Sequence, residues 1–227
     1  MKRTLRLLAL AIVALPAVAG AQVLNFENIV PAGTDFVGMP ANWYNGGPGG
    51  NYGITFSSNA LALCLQPRLD CGINSSRGGL GDPSSWYGGL FFLDGDATYM
   101  NSSTGFTTGF SFFYSAAFNG GSFGVYSGQN GTGTLLASML LPVTGDGSGN
   151  PGCFSTNFCP FVAAGVAFSG VAQSVAFGGV ANQIAFDDVT FGSDVPGTTT
   201  PEPASLALLA TGLVGIGGVV RRRRSNG

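Results

Sequence analysis

Short apolar runs recur along the middle of the chain. Residues 53–56, 89–93, 109–114, 121–126, 174–177 and 183–191 are rich in β-branched or aromatic side chains, and clusters of Gly, Asn, Asp and Ser separate them. Phe110, Phe112 and Tyr114 alternate with Ser111, Phe113 and Ser115, the period of two expected of a strand with one buried face. No stretch between the termini spaces its apolar residues as an amphipathic helix does. About eight to ten short strands joined by irregular turns predict an all-β body, a two-layer, jelly-roll-like β-sandwich, because stacking two sheets buries both inner faces.

The two ends follow a different pattern. Lys2, Arg3 and Arg6 precede an apolar run at residues 7–15, and Ala19, Gly20 and Ala21 supply small residues before Gln22. This is the order of parts in a secretory signal peptide, predicted over residues 1–21; the apolar run is far shorter than the ~20 residues that span a bilayer. At the other end a Thr- and Pro-containing linker, residues 195–200, leads into Pro201, Glu202 and Pro203. An uncharged run over residues 204–220 follows, and then Arg221, Arg222, Arg223 and Arg224. A helix of that length rises about 25 Å, enough for a thin bilayer. The four arginines would keep its end in the cytoplasm, so the body, residues 22–194, faces outward.

Pro-Glu-Pro, an apolar helix and an arginine cluster in this order resemble the PEP-CTERM sorting signal, over residues 201–227. The resemblance implies recognition by exosortase, a membrane-embedded transpeptidase of Gram-negative bacteria that make exopolysaccharide. It implies cleavage near Pro201, Glu202 and Pro203, transient residence in the inner membrane, and delivery to the cell surface or extracellular matrix. The two prolines suit that role: they keep the segment extended and outside the helix, so its backbone stays open to an enzyme. The alternative is a plain single-span anchor in which Pro-Glu-Pro marks only a helix start.

Charge changes the picture of partners. Between residues 22 and 200 ten acids stand against two arginines, Arg68 and Arg77, a net charge of −8. Nucleic acid is not expected as a partner, because phosphate backbones are held by many Lys and Arg contacts. The four cysteines fall into two close pairs, Cys64 with Cys71 and Cys153 with Cys159, and in an exported chain two local disulfides are expected.

Missing residues limit the chemistry. The chain has no histidine, and its one lysine is Lys2, so Ser-His-Asp, Cys-His and Ser-Lys catalysis have no parts. Paired-carboxylate cleavage of glycans remains as an alternative, although no spacing singles out an acid and a base. The carboxylates suggest instead a structural Ca²⁺ site: Glu27 falls in the first predicted strand, residues 24–28, and Asp187 and Asp188 in the last, and hard oxygen ligands suit this ion. The placement resembles jelly rolls of the carbohydrate-binding-module kind, which implies a shared Ca²⁺ between first and last strands; solvent-facing strand ends are the other reading. The acidic loops at Asp94–Asp96 and 146–150 are expected to be turns.

Trp43, Tyr44, Trp86 and Tyr87, each pair next to Gly-rich sequence, are candidates for stacking on a sugar ring, or alternatively plugs at the edge of the core. Three functions are thus in play. The expectation taken here is a non-enzymatic, exopolysaccharide- or biofilm-associated surface or matrix protein processed by exosortase. A carbohydrate-binding module is the first alternative and a carboxylate-based glycan-cleaving enzyme the second.

Overall fold

In the computed structural model the described residues are 21–65, 87–149, 153 and 158–197. They form strands β1 (Gln22–Leu24), β2 (Phe36–Gly38), β3 (Asn45–Gly47), β4 (Gly50–Asn51), β5 (Ile54–Phe56), β6 (Leu61–Cys64) and β7 (Gly88–Phe91). The second half adds β8 (Ala97–Phe106), β9 (Gly109–Ser115), β10 (Gly121–Tyr126), β11 (Leu135–Leu141), β12 (Val162–Ala167), β13 (Ala172–Gly179) and β14 (Ala185–Phe191). One 3-10 turn, Gln129–Gly131, is the one helical element among the described residues. The predicted all-β sandwich is therefore what the body forms.

One sheet has seven strands, ordered β12-β9-β14-β7-β6-β2, with β1 also paired to β14. The other has five, ordered β11-β10-β13-β8-β5, and β3 and β4 make a small ribbon. First and last strands lie side by side as expected, Gln22 opposite Phe191 and Leu24 opposite Val189. β14 shares its other side with β9 and is buried along its whole length.

Aromatic side chains fill the space between the sheets. Phe112 of β9 meets Phe123 of β10 edge to face at 4.9 Å, and Phe186 of β14 meets Phe177 of β13 at 4.8 Å. Such contacts add about 0.5–1.5 kcal/mol each beyond the area they bury. Met100, Val125, Val175 and Ile54 complete the inner face of the five-stranded sheet. A second cluster, Leu63, Leu65, Phe91, Phe158 and Ala185, lies apart from the main core, and the Cys153–Cys159 disulfide adjoins its Phe158. Every buried apolar member of both clusters lies between Leu24 and Phe191, so the unit Ala21–Thr200 carries its own core.

Two expectations need correction. β9 does not have one wet face: Ser111 is fully buried, because its Oγ donates to the carbonyl of Ser193, whose segment crosses the strand. Glu27 is not in the first strand, since β1 ends at Leu24 and Glu27 follows in the turn beyond it.

Candidate functional site

The outer face of the five-stranded sheet carries a groove of about 580 Å³. Its floor is made of small residues: Ala97 from β8, Gly124 from β10, and Ala176 and Gly178 from β13. Successive side chains of a strand point to opposite faces, so the residues between these, Thr98, Phe123, Val125, Val175 and Phe177, turn inward and hold the core. A sheet face without bulky side chains leaves room for a flat ligand.

Two tyrosines rise from that floor. Tyr126 lies over Gly124: a Cβ on Gly124 would stand 2.8 Å from Cε2 of Tyr126. The missing side chain is what lets the ring lie down. Tyr99 is held from another side, where a Cβ on Gly131 would stand 2.7 Å from its Cε1. Both rings are half-buried, with one part against protein and the rest in the groove. Ser122, Ser138 and Asp96 supply polar groups, and Leu135, Met139 and Leu140 of β11 form an apolar rim.

One boundary is fixed by hydrogen bonds. The Gln129–Gly131 turn is tied to β8 and β13: Asn130 N donates to Asn101 Oδ1 at 2.7 Å, and Asn101 Nδ2 donates to Asn130 Oδ1 at 2.8 Å. Gly131 N donates to Ser174 Oγ at 2.9 Å, and Gln129 Nε2 to the carbonyl of Ser102 at 2.8 Å. Asn101 and Ser174 are buried, so these bonds are shielded from competing water. Gly131, the residue that backs Tyr99, is thereby set in place.

Of the residues predicted from the sequence to meet a sugar, Trp43, Tyr44 and Tyr87 do not line this groove. Tyr44 is buried in the core, and its hydroxyl accepts a hydrogen bond from Phe26 N at 2.8 Å; it offers no face for a sugar. Burial pushes its phenol well above the ordinary range; the Phe26 N–H acts against this, and the carboxylates of Asp187 and Glu27 and the phenol of Tyr52 add to it. Trp43 is half-buried and packs on the main core, and Tyr87 uses its backbone N–H on Glu27 Oε1 at 2.9 Å. Trp86, Cys71, Pro201, Glu202, Pro203 and Arg221, Arg222, Arg223 and Arg224 lie outside the described residues, as do residues 1–20.

The three carboxylates expected to share Ca²⁺ do not come together as one ligand set: among the described residues no group of three or more His, Cys, Asp or Glu is placed to hold a metal ion. Glu27 Oε1 accepts from the N–H groups of Tyr87 and Gly88 instead. Asp187 and Asp188 build a bulge in β14, where the register with β9 shifts between Asp187 and Thr190. Asp188 takes φ +44°, which Asp tolerates better than most residues, and its N–H donates to Asp187 Oδ1 at 2.7 Å. Asp94 and Asp146 accept from Gly95 N and Ser148 N, as turn residues do. Cys153 and Cys159 are bonded to each other, and Cys64 is also in a disulfide.

The PEP-CTERM protein-sorting motif matches residues 199–224, so the chain carries this signal, and the motif implies export with processing by exosortase. Among the described residues no helix is long and apolar enough to cross a membrane. No curated protein matches the chain. Among solved structures it is similar to a family 6 carbohydrate-binding module, at 16% identity over 73% of this chain and 98% of that one, with a TM-score of 0.36. It is also similar to a carbohydrate-binding module of Cellvibrio mixtus lichenase 5A, at 10% identity over 52% and 83% with a TM-score of 0.33. The K3 cleaved adhesin domain of Lys-gingipain from Porphyromonas gingivalis gives 15% identity over 77% and 100% with a TM-score of 0.36.

Proposed function

We propose that this protein is a non-enzymatic component of the cell surface or extracellular matrix that holds an uncharged glycan in the groove of its five-stranded sheet. The observation that carries the reading is the pair of tyrosine rings, Tyr99 and Tyr126, set on a floor of Gly and Ala beside Ser122, Ser138 and Asp96. A sugar ring has apolar C–H faces and a polar rim, and flat aromatic surfaces with a few fixed polar groups meet both needs. The volume falls within the usual range of ligand pockets, about 300–1,000 Å³.

Charge narrows the ligand. No cation lines the groove among the described residues, whereas a uronate or sulfated glycan would call for one to balance its charge. The same lining speaks against glycan cleavage: that chemistry needs two carboxyl groups across the scissile bond, and Asp96 is the one acid in the groove among the described residues. The sorting motif supplies the address. In this reading residues 1–21 are the signal peptide, and the apolar run at 204–220 holds the chain in the inner membrane until exosortase acts near Pro201, Glu202 and Pro203.

The test is retention of the body, residues 22–197, on a panel of neutral and acidic polysaccharides, with Ca²⁺ and again with chelator. Retention on neutral glycans that Tyr126→Ala weakens supports the reading. Retention on none of them, or retention indifferent to both tyrosines, overturns it. Loss with chelator alone would return Ca²⁺ to the account.

A further inference from the structure

The first strand begins where the export signal read from the sequence ends. Ala19, Gly20 and Ala21 stand before Gln22, and β1 starts at Gln22 itself. Cleavage after Ala21 would leave no loose leader on the body. The new N-terminus is already a strand residue, set opposite Phe191 in the ladder to β14.

The fold has much to lose at this terminus. β1 is three residues long, and its Leu24 is fully buried in the main core. It lies along Val189, Thr190 and Phe191, the stretch of β14 just past the Asp187–Asp188 bulge. Chain ends are where proteolysis concentrates unless they are tied down, and removal of Gln22 and Val23 would take most of this ladder away. An aminopeptidase needs a primary amine to begin. A free ammonium is also unwelcome here, because Ala21 and Phe191 are both buried and an ion held against apolar neighbours costs free energy.

Glutamine is the residue whose own side chain can remove that amine. Attack of the α-nitrogen on the carboxamide carbon closes a five-membered ring. The N–Cδ bond forms, the Cδ–Nε2 bond breaks, and the carboxamide nitrogen leaves as ammonia with a proton from the α-nitrogen. The product is a neutral lactam, and no oxidant, reductant or second substrate is consumed. Gln22 is half-buried rather than enclosed, so the ammonia has a way out.

Resting on the reading that residues 1–21 are the signal peptide, we propose that Gln22 is a modification site. Once cleavage exposes it, it cyclises to pyroglutamate and caps β1 against aminopeptidases. The site is on the other sheet from the groove and needs no glycan.

The N-terminus of the full chain, exported with its own signal, tests this. Free amines are acetylated on the denatured protein first, so that no ring closes during handling, and a glutamate-specific protease then releases residues 22–27, Gln-Val-Leu-Asn-Phe-Glu. Mass spectrometry should find this peptide unacetylated and lighter by one ammonia, and fragmentation should place the loss on residue 22 rather than on Asn25. Gln22→Asn is the control, because its shorter side chain would have to close a four-membered ring; its peptide should be acetylated and keep its ammonia. When the folded proteins are treated with a broad-specificity aminopeptidase, the parent should keep residue 22 and the variant should lose it. A peptide that begins at another residue overturns the proposal together with the signal-peptide boundary. A peptide that begins at Gln22 and still keeps its ammonia after prolonged incubation of the protein at neutral pH overturns the cyclisation and leaves that boundary standing. No difference in trimming between parent and variant overturns the cap.

Discussion

Asn101 of β8 and Ser174 of β13 face each other in the register of the five-stranded sheet, and both side chains hold the same turn, Gln129–Gly131. A polar pair in the middle of a sheet is costly unless it is satisfied. Here Asn101 is satisfied by Asn130, and Ser174 both accepts from Gly131 N and donates to the carbonyl of Gly128. The turn is held over the sheet by buried bonds rather than by a hydrophobic contact of its own, since it has no buried residue.

Replacing Asn101 with Ala should therefore loosen the turn. It removes both hydrogen bonds to Asn130 and leaves the Asn130 N–H without its acceptor, a loss of about 1–3 kcal/mol. Chemical denaturation checks the stability, and glycan retention checks the site, because Gly131 would no longer back the Tyr99 ring. A variant with unchanged stability and unchanged retention would show that the turn is not held by Asn101.

Tyr126→Ala and Tyr99→Ala should each weaken retention on a neutral glycan by about tenfold, the effect of losing roughly 1.4 kcal/mol of aromatic contact. Neither ring is among the buried members of the core, so the unfolding midpoints should move little. Affinity electrophoresis in gels that contain the polysaccharide separates the two effects. Retention unchanged from the parent protein in both variants would place the ligand elsewhere.

Gly124→Ala gives a finer test, since it leaves both rings present. Its new Cβ would stand 2.8 Å from Tyr126 Cε2 and 3.0 Å from the hydroxyl, so the ring must lift from the floor. Ala is at least as good as Gly inside a strand, and the ring end of Tyr126 is free to move, so the fold should keep its stability. Retention should fall towards the level of Tyr126→Ala. If it does not, the flat position of Tyr126 has no part in binding.

Much of the fold was legible in the sequence, and most of the site was not. The runs at 109–114, 121–126 and 183–191 announce β9, β10 and β14 because their aromatic residues alternate or cluster between glycines. β8 escapes such a reading: Ala-Thr-Tyr-Met-Asn-Ser-Ser-Thr-Gly-Phe is polar, since its outer face lies partly under the groove and partly bonds a turn through Asn101. β11 escapes because Leu-Leu-Ala-Ser-Met-Leu-Leu does not alternate, being an edge strand exposed along much of its length. Tyr99 and Tyr126 lie on strands that become near neighbours only through β13, and no spacing along the chain records that order. The one local signal was Gly124 two residues before Tyr126, a small residue on the same face as an aromatic one. The bulge that Asp187 and Asp188 build in β14 was not legible either, because no spacing along the chain marks where the register with β9 shifts.

Tyr44 gives the last prediction, through pH. Its hydroxyl is the acceptor for Phe26 N, and Phe26 has φ +54°, so the phenol holds a backbone turn that few apolar residues adopt. Burial raises its pKa in the folded state above the ordinary value, and the folded protein therefore keeps this proton more tightly than the unfolded chain does. Its contribution to stability is fully present below pH ~10 and is lost as pH rises beyond it, at about 1.4 kcal/mol per pH unit. Tyr44→Phe removes the titrating group and should flatten that decline, while at neutral pH it costs about 1–3 kcal/mol because Phe26 N loses its partner. Urea unfolding of the two proteins between pH 7 and pH 11 measures both effects. The same alkaline slope in both would mean that Tyr44 reaches solvent before the fold is lost, and that the bond to Phe26 is not a closed part of the core.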